Sequence, residues 1–191
     1  MTTDALDAWD AETARLVAVL HDVPPADWAR ASPCPPWTAA DLLGHVVAGV
    51  ARVPGMLDAP APPRAEIDAI AYFRADARFS GSTNAERIDL GQRLAAELGG
   101  PGLVARLTTA RAEAVGRCRR EPGGRIVRTR HGDAMLLTDF LATRVLEAGI
   151  HGLDLADALG REPWLTGPAA ELLTRVYGAA DRPGLRRLAL G

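Results

Sequence analysis

Lysine is absent from this chain, and its 22 basic residues are all arginine, set against 24 acidic ones for a formal net charge of −2. A balance so near neutral, with no basic stripe, excludes nucleic acid as the main partner. The missing lysine accompanies an abundance of Ala, Gly and Pro, a bias of GC-rich coding rather than of function. Cysteine is nearly missing too: Cys34 and Cys118 stand far apart, which excludes a disulfide framework and a paired-cysteine zinc site and leaves two reduced thiols. No apolar run approaches the roughly 20 residues that span a bilayer, so no membrane partner is expected. The acidic start MTTDALDAWDAETARL lacks a basic leader and an apolar core, so no secretory signal is read there and the expected location is the cytoplasm. No internal repeat is present.

What the chain does have is helical periodicity. At 191 residues, 48% apolar, it is long enough to bury a core as one domain over 1–191. Leu6, Trp9, Leu16, Val17 and Leu20 mark a first amphipathic helix over about 3–20, interrupted on its stripe only by Thr13. Pro24 and Pro25 end it, and the proline-rich DWARASPCPPW must be an ordered loop, with Trp37 stapling it to the helices and Cys34 packed among the prolines. Thr38 with Asp41 suits a variant capping box for a second helix, carrying Leu42, Leu43, Val46, Val47 and Val50 inward and His45 among them. A variable segment follows at about 58–82, in which a short helix over 65–74 is expected, then a capped segment through Leu98 and a turn at 99–102. Leu103 to Arg120 forms another amphipathic helix. Residues 125–130 alternate like a brief strand with no evident partner, and Pro168 opens a last helix after a turn at 161–167. The sum is an all-α bundle.

The chemistry concentrates in TDFLATRVLEAGIHGLDLADAL, residues 138–159. Phe140, Leu141, Val145, Leu146, Ile150, Leu153 and Leu155 predict a helix with a broad apolar face, capped by Thr138 and ended at Gly160. Glu147 and His151 lie four apart, so a carboxylate oxygen and an imidazole nitrogen stack one turn from each other and can converge on one cation. With His45 they make two nitrogens and a carboxylate, a donor set that suits zinc as well as iron, nickel or manganese and leaves a coordination position open. Spacing alone leaves the alternatives standing: an ordinary hydrogen-bonded helix pair, and a satisfied core histidine. Arg144 shares the face and either holds an anionic substrate or pairs with Glu147. Asp154 is placed to orient the second nitrogen of His151; Asp41 either serves His45 in that way or caps its helix. His131 falls in an RTRHGD turn and is expected on an exposed loop, and His21 at the surface.

Two blocks, PCPPWTAADLLGHV and RVLEAGIHGLDLADALG, resemble the mycothiol-dependent maleylpyruvate isomerase N-terminal domain family, within the DinB-like metal-binding bundles, over roughly Leu6 to Gly160. The resemblance implies a DinB-like four-helix bundle with additional short helices. It implies a divalent metal, usually zinc, on residues matching His45, Glu147 and His151, and mycothiol, an actinobacterial low-molecular-weight thiol, as cosubstrate. The function it implies is a metal-dependent thiol transferase or isomerase in which the thiol attacks an electrophilic small molecule; the assembly expected is a monomer or homodimer. Family isomerases carry a further C-terminal domain, and only about 30 residues follow Gly160 here. The expectation is therefore a thiol transferase or tailoring enzyme rather than maleylpyruvate isomerisation. The alternative is a non-catalytic ligand- or partner-binding bundle with a structural metal.

Overall fold

The first apolar stripe is buried along α1 (Thr2–Leu20), where Trp9, Leu16 and Leu20 are all but inaccessible. The structure, a computed structural model, describes residues 2–73 and 80–179. Thr13, the polar interruption of the stripe, is tolerated inside because its hydroxyl donates to the Trp9 carbonyl at 2.6 Å. Beside it the buried carboxylate of Glu12 accepts from the backbone N–H and hydroxyl of Thr166 at 2.9 and 2.7 Å. That contact ties α1 to the entry of α6 (Gly167–Ala179).

α2 (Ala39–Ala51) starts as its sequence requires. Thr38 Oγ1 accepts from the Asp41 N–H at 3.2 Å, and Asp41 Oδ2 accepts from the Thr38 N–H at 2.9 Å, a reciprocal capping box. A short α3 (Val53–Asp58) follows, and then α4 (Gly81–Cys118), capped by Ser80. The turn expected at 99–102 is present as a kink at its first residue, within what is otherwise one run, α4. Only Gly99 leaves helical geometry (φ 62°, ψ 172°), and Pro101 falls in the first turn of the resumed helix, where its missing N–H costs nothing. Gly100 has no room for a side chain because the Trp28 indole lies against it, which keeps the two runs of α4 in line with the loop before α2.

The expected helix over 65–74 does not form. Glu66 and Ile67 donate their N–H groups to the Ala134 carbonyl, and Glu66 Oε2 accepts from the Ala134 N–H at 2.9 Å. The segment is thereby held along a strand and reaches only a 3-10 turn at Ala71–Phe73; residue 74 lies outside the described residues. The strand at β1 (Ile126–Arg128) does have a partner, β2 (Ala134–Leu136), paired antiparallel with Val127 opposite Met135. This hairpin also corrects the start of α5 (Leu137–Leu159). Leu137 donates to the Arg125 carbonyl at 2.8 Å, so the chain stays extended to Leu136, and Thr138 lies inside the helix instead of capping it. Gly160 ends α5 in the left-handed region (φ 63°, ψ 38°), as its position predicts.

α2 packs on α4 and α5, and α1 packs on α5 and α4, which closes a ring of four helices; α6 lies against α1 and α5. The fold is all-α, a four-helix bundle with additional short helices and one small hairpin. Its core runs through Leu42, Leu43, Leu103, Leu107, Leu141 and Leu146. Of the α5 stripe, Leu153 departs from the pattern and is exposed. No helix among the described residues is long and apolar enough to cross a membrane.

α2 and α4 meet backbone to backbone. A Cβ on Gly44 would stand 2.5 Å from the Gly91 carbonyl oxygen, and one on Gly91 would stand 2.8 Å from the Asp41 carbonyl oxygen. Gly44→Ala is therefore expected to force the two helices apart and cost about 1–3 kcal/mol of stability in urea unfolding. Gly55→Ala in α3, where a Cβ meets nothing within 4 Å, should instead stabilise by about 0.5–1 kcal/mol.

Candidate metal centre

The loop before α2 is braced by its own polar groups. Ser32 N–H and Oγ both donate to the Trp37 carbonyl at 2.9 Å, Trp37 N–H donates to the Cys34 carbonyl at 3.0 Å, and Ala31 bridges Thr38. This bracing explains how a proline-rich stretch presents two side chains in fixed directions. Trp37 stacks on the His45 ring with centroids 4.9 Å apart and planes 28° apart, and Cys34 Sγ reaches Asp154 Oδ2 at 3.5 Å.

From α2, His45 Nε2 meets Glu147 Oε2 of α5 at 3.2 Å. His151, one turn along α5, brings its Nε2 to the same oxygen at 3.6 Å. The two imidazoles stand edge to face, with centroids 5.2 Å apart. One donor atom from each of the three residues falls within 4.8 Å of the others, although 102 residues separate His45 from Glu147. On its far side His151 Nδ1 lies 3.0 Å from Asp154 Oδ2. That bond places a proton on Nδ1 and turns Nε2 toward the trio, the arrangement in which a carboxylate orients a metal-ligating histidine.

Burial acts on all three groups. For Glu147 desolvation favours the neutral acid, but Arg144 and the hydrogen bonds to His151 and His45 outweigh it and hold the carboxyl well below its usual range. For His151 desolvation likewise opposes charge, and the hydrogen bonds to Asp154, Cys34 and Glu147 outweigh it, so the imidazole is raised well above its usual value. His45 is lowered, chiefly by burial. A carboxylate oxygen and a bare imidazole nitrogen repel, so each of these two approaches needs a proton or a cation between the atoms. The donor set therefore fits a divalent ion: one ionised carboxylate and two histidines, one of which already has its other nitrogen engaged.

Other residues singled out in the sequence are distributed as follows. Arg144 Nη2 stands 3.8 Å from Glu147 Oε1, beyond hydrogen-bond length, while its Nε donates to Thr143 Oγ1 at 3.1 Å. Asp41 Oδ2 is engaged by both the N–H and the hydroxyl of Thr38, so that carboxylate serves the cap. His131 is half-buried, with its ring 6.2 Å from that of Tyr72, and not exposed as expected; His21 is at the surface. Two contributors escaped sequence reasoning. The prolines around Cys34 predict only packing, and its reach to Asp154 depends on a loop path that periodicity does not describe. The stripe of α1 predicts Trp9 as an ordinary core residue, yet with Val46, Gly49, Val50, Arg144 and Ala148 it lines a cavity bordered by His45 and Glu147. Spacing held one clue: Gly49 lies four residues after His45, on the same face of α2.

The family model of the mycothiol maleylpyruvate isomerase N-terminal domain matches residues 9–156. The chain belongs to that family. The matched span takes in His45, Glu147, His151 and Asp154. Among solved structures, a crystal structure of the mycothiol-dependent maleylpyruvate isomerase superposes with a TM-score of 0.62 at 19% identity, covering 94% of this chain and 68% of that one. A histidine-to-alanine mutant of such an isomerase gives a TM-score of 0.65 at 18% identity with the same coverage. At these identities the likeness establishes a shared fold. No curated protein sequence matches the chain.

Asp154→Ala should leave the Nδ1–H of His151 and the Cys34 thiol without their shared acceptor inside the protein. With a chelator present throughout, the variant is expected to lose about 1–3 kcal/mol in urea unfolding. Asp154→Asn, which keeps one carbonyl oxygen, should lose less.

Proposed function

We propose that this chain is a metal-dependent enzyme that uses mycothiol, or a related low-molecular-weight thiol, in transfer to or isomerisation of an electrophilic small molecule. His45, Glu147 and His151 would hold the metal, with zinc the expected ion. The observation that carries this reading is the meeting of three donor atoms from two helices within 4.8 Å, in a chain of the isomerase family. When bound, a divalent cation lowers the pKa of a coordinated thiol, which otherwise sits near 8.5, and so favours the nucleophilic thiolate at neutral pH.

The protein's own groups have separable parts in this scheme. Asp154 keeps His151 in one tautomer by accepting from Nδ1. Trp37 fixes the plane of His45 by stacking. Arg144 borders the cavity and offers positive charge to a substrate. The apolar walls contributed by Trp9, Val46 and Val50 limit water around the reacting groups. Three protein donors leave a position for an exogenous thiol, which distinguishes this set from a closed structural site. Transfer and isomerisation differ in whether the carbon–sulfur bond formed with the thiol is kept or broken again, and the residues of the trio serve either.

The test is metal analysis of the purified protein together with His45→Ala, Glu147→Gln and His151→Ala. The unaltered protein should carry close to one equivalent of a divalent metal, each variant should lose most of it, and helical content should persist by circular dichroism. Thiol-dependent conversion of an electrophile should fall by at least about a hundredfold in the same variants. Loss of the helical fold on chelation would instead identify the ion as structural and support the non-catalytic alternative.

A further inference from the structure

His151 has two ring nitrogens, and the trio engages only Nε2. On the far side of the ring, Asp154 Oδ2 stands 3.0 Å from Nδ1, and the Cys34 sulfur lies 3.5 Å from that same oxygen. One donor atom from each of Cys34, His151 and Asp154 falls within 4.8 Å of the others. A sulfur, a nitrogen and an oxygen are thereby brought to one place, from a loop and from α5.

Their spacing suits an ion. Donors about 2.0–2.3 Å from one zinc at tetrahedral angles stand roughly 3.4–3.6 Å apart. The separations of 3.0 and 3.5 Å are at or just under that spacing, so an ion enters with small side-chain adjustments and no movement of α5. The backbone holds the thiol in place: Cys34 N–H donates to Ser32 Oγ at 3.2 Å, and its carbonyl accepts from the Trp37 N–H at 3.0 Å. Cys34 and His151 are buried, while Asp154 is only half-buried and leaves a route from solvent. Packing among prolines is met by any small apolar side chain. A thiol aimed at a carboxylate and an imidazole is, in addition, a donor set for a thiophilic metal. Cys118, the other thiol, belongs to no such group among the described residues.

We propose that Cys34, His151 Nδ1 and Asp154 form a second metal site, for a thiophilic divalent cation such as zinc or cadmium, back to back with the trio on one shared imidazole. Binding there releases the thiol proton to solvent and moves the imidazole proton from Nδ1 to Nε2. A neutral imidazole has one free lone pair, so an ion on Nδ1 leaves an Nε2–H that faces Glu147 Oε2, 3.6 Å away, as a donor. The two sites therefore compete for His151, and an excess of such a cation would draw this histidine away from the trio. The second site does not depend on the reading of the trio as a metal centre; only the competition rests on it.

Cadmium chloride is the probe, titrated into protein stripped with a chelator, and the readout is the ultraviolet charge-transfer band of a cadmium–thiolate bond. That band reports sulfur ligation, which the trio does not supply. It should appear in the unaltered protein and in Cys118→Ser alike, and be lost in Cys34→Ser, with helical content by circular dichroism unchanged. The first two proteins keep the site intact, so the band does not depend on the folding of a variant within it. Absence of the band in the unaltered protein, or its survival in Cys34→Ser, would overturn the site. In Glu147→Gln the band should develop at severalfold lower cadmium, because the trio no longer competes. Development at the same cadmium concentration would overturn the competition and leave the second site standing. Failure of the trio to hold metal would not remove the band, so the two readings fail separately.

Discussion

Glu147 imposes the tightest constraint in this molecule. Withdrawing a carboxylate between two packed helices costs several kcal/mol unless opposite charge and hydrogen bonds replace the water it loses. Here the replacements come from both sides: His45 across the interface from α2, His151 one turn away on α5, and Arg144 one turn before. Because His45 and His151 meet the same oxygen, a shift of α2 along or away from α5 breaks the arrangement. Such a group adds little net stability compared with an apolar pair of the same volume. Its presence is better explained by what the convergent donors can bind than by what they contribute to the fold.

The surroundings act to keep that convergence in register. The capping box of Thr38 and Asp41 sets where α2 begins, and the braced loop before it delivers Trp37 to the face of His45 and Cys34 to Asp154. At the other end, Gly160 stops α5 while Arg30 Nη1 donates to the Leu159 carbonyl at 3.1 Å, linking the loop before α2 to the terminus of α5. The same short segment therefore touches both helices that carry the trio. Glu12 does comparable work for α6 through Thr166, away from the trio. One oxygen of that carboxylate, Oε1, has no partner among the described residues, so the Glu12 contact fastens the helices without satisfying every group it buries.

Much of this was legible in the sequence because it depends on local rules. The four-residue step from Glu147 to His151, the Thr38 and Asp41 box and the stop at Gly160 each follow from helix geometry alone. The three-residue step from His151 to Asp154 also placed a carboxylate near the right ring nitrogen. What escaped depends on partners distant in the chain. β2 was hidden because three residues, AML, running directly into a helix carry no signal until β1 pairs with them. Gly99 to Gly102 read as a turn because the composition is that of one, and the fold confines that turn to a kink at Gly99, with the Trp28 indole against Gly100.

The glycines flanking His45 show how the site competes with the helix that carries it. Each glycine inside a helix forgoes about 1 kcal/mol relative to alanine, and α2 has two of them, Gly44 and Gly49, within 13 residues. Their missing side chains face different neighbours. At Gly44 the space is filled by the backbone of α4 at Gly91, a contact that draws the two helices close and buries apolar area in return. At Gly49 the nearest atom is the Arg144 guanidinium, a charged group that a tighter core would exclude. Only the first of these positions has a packing reason. The second weakens α2 and admits a positive charge to the cavity wall beside Glu147, so the helix gives up stability on the face where it carries His45.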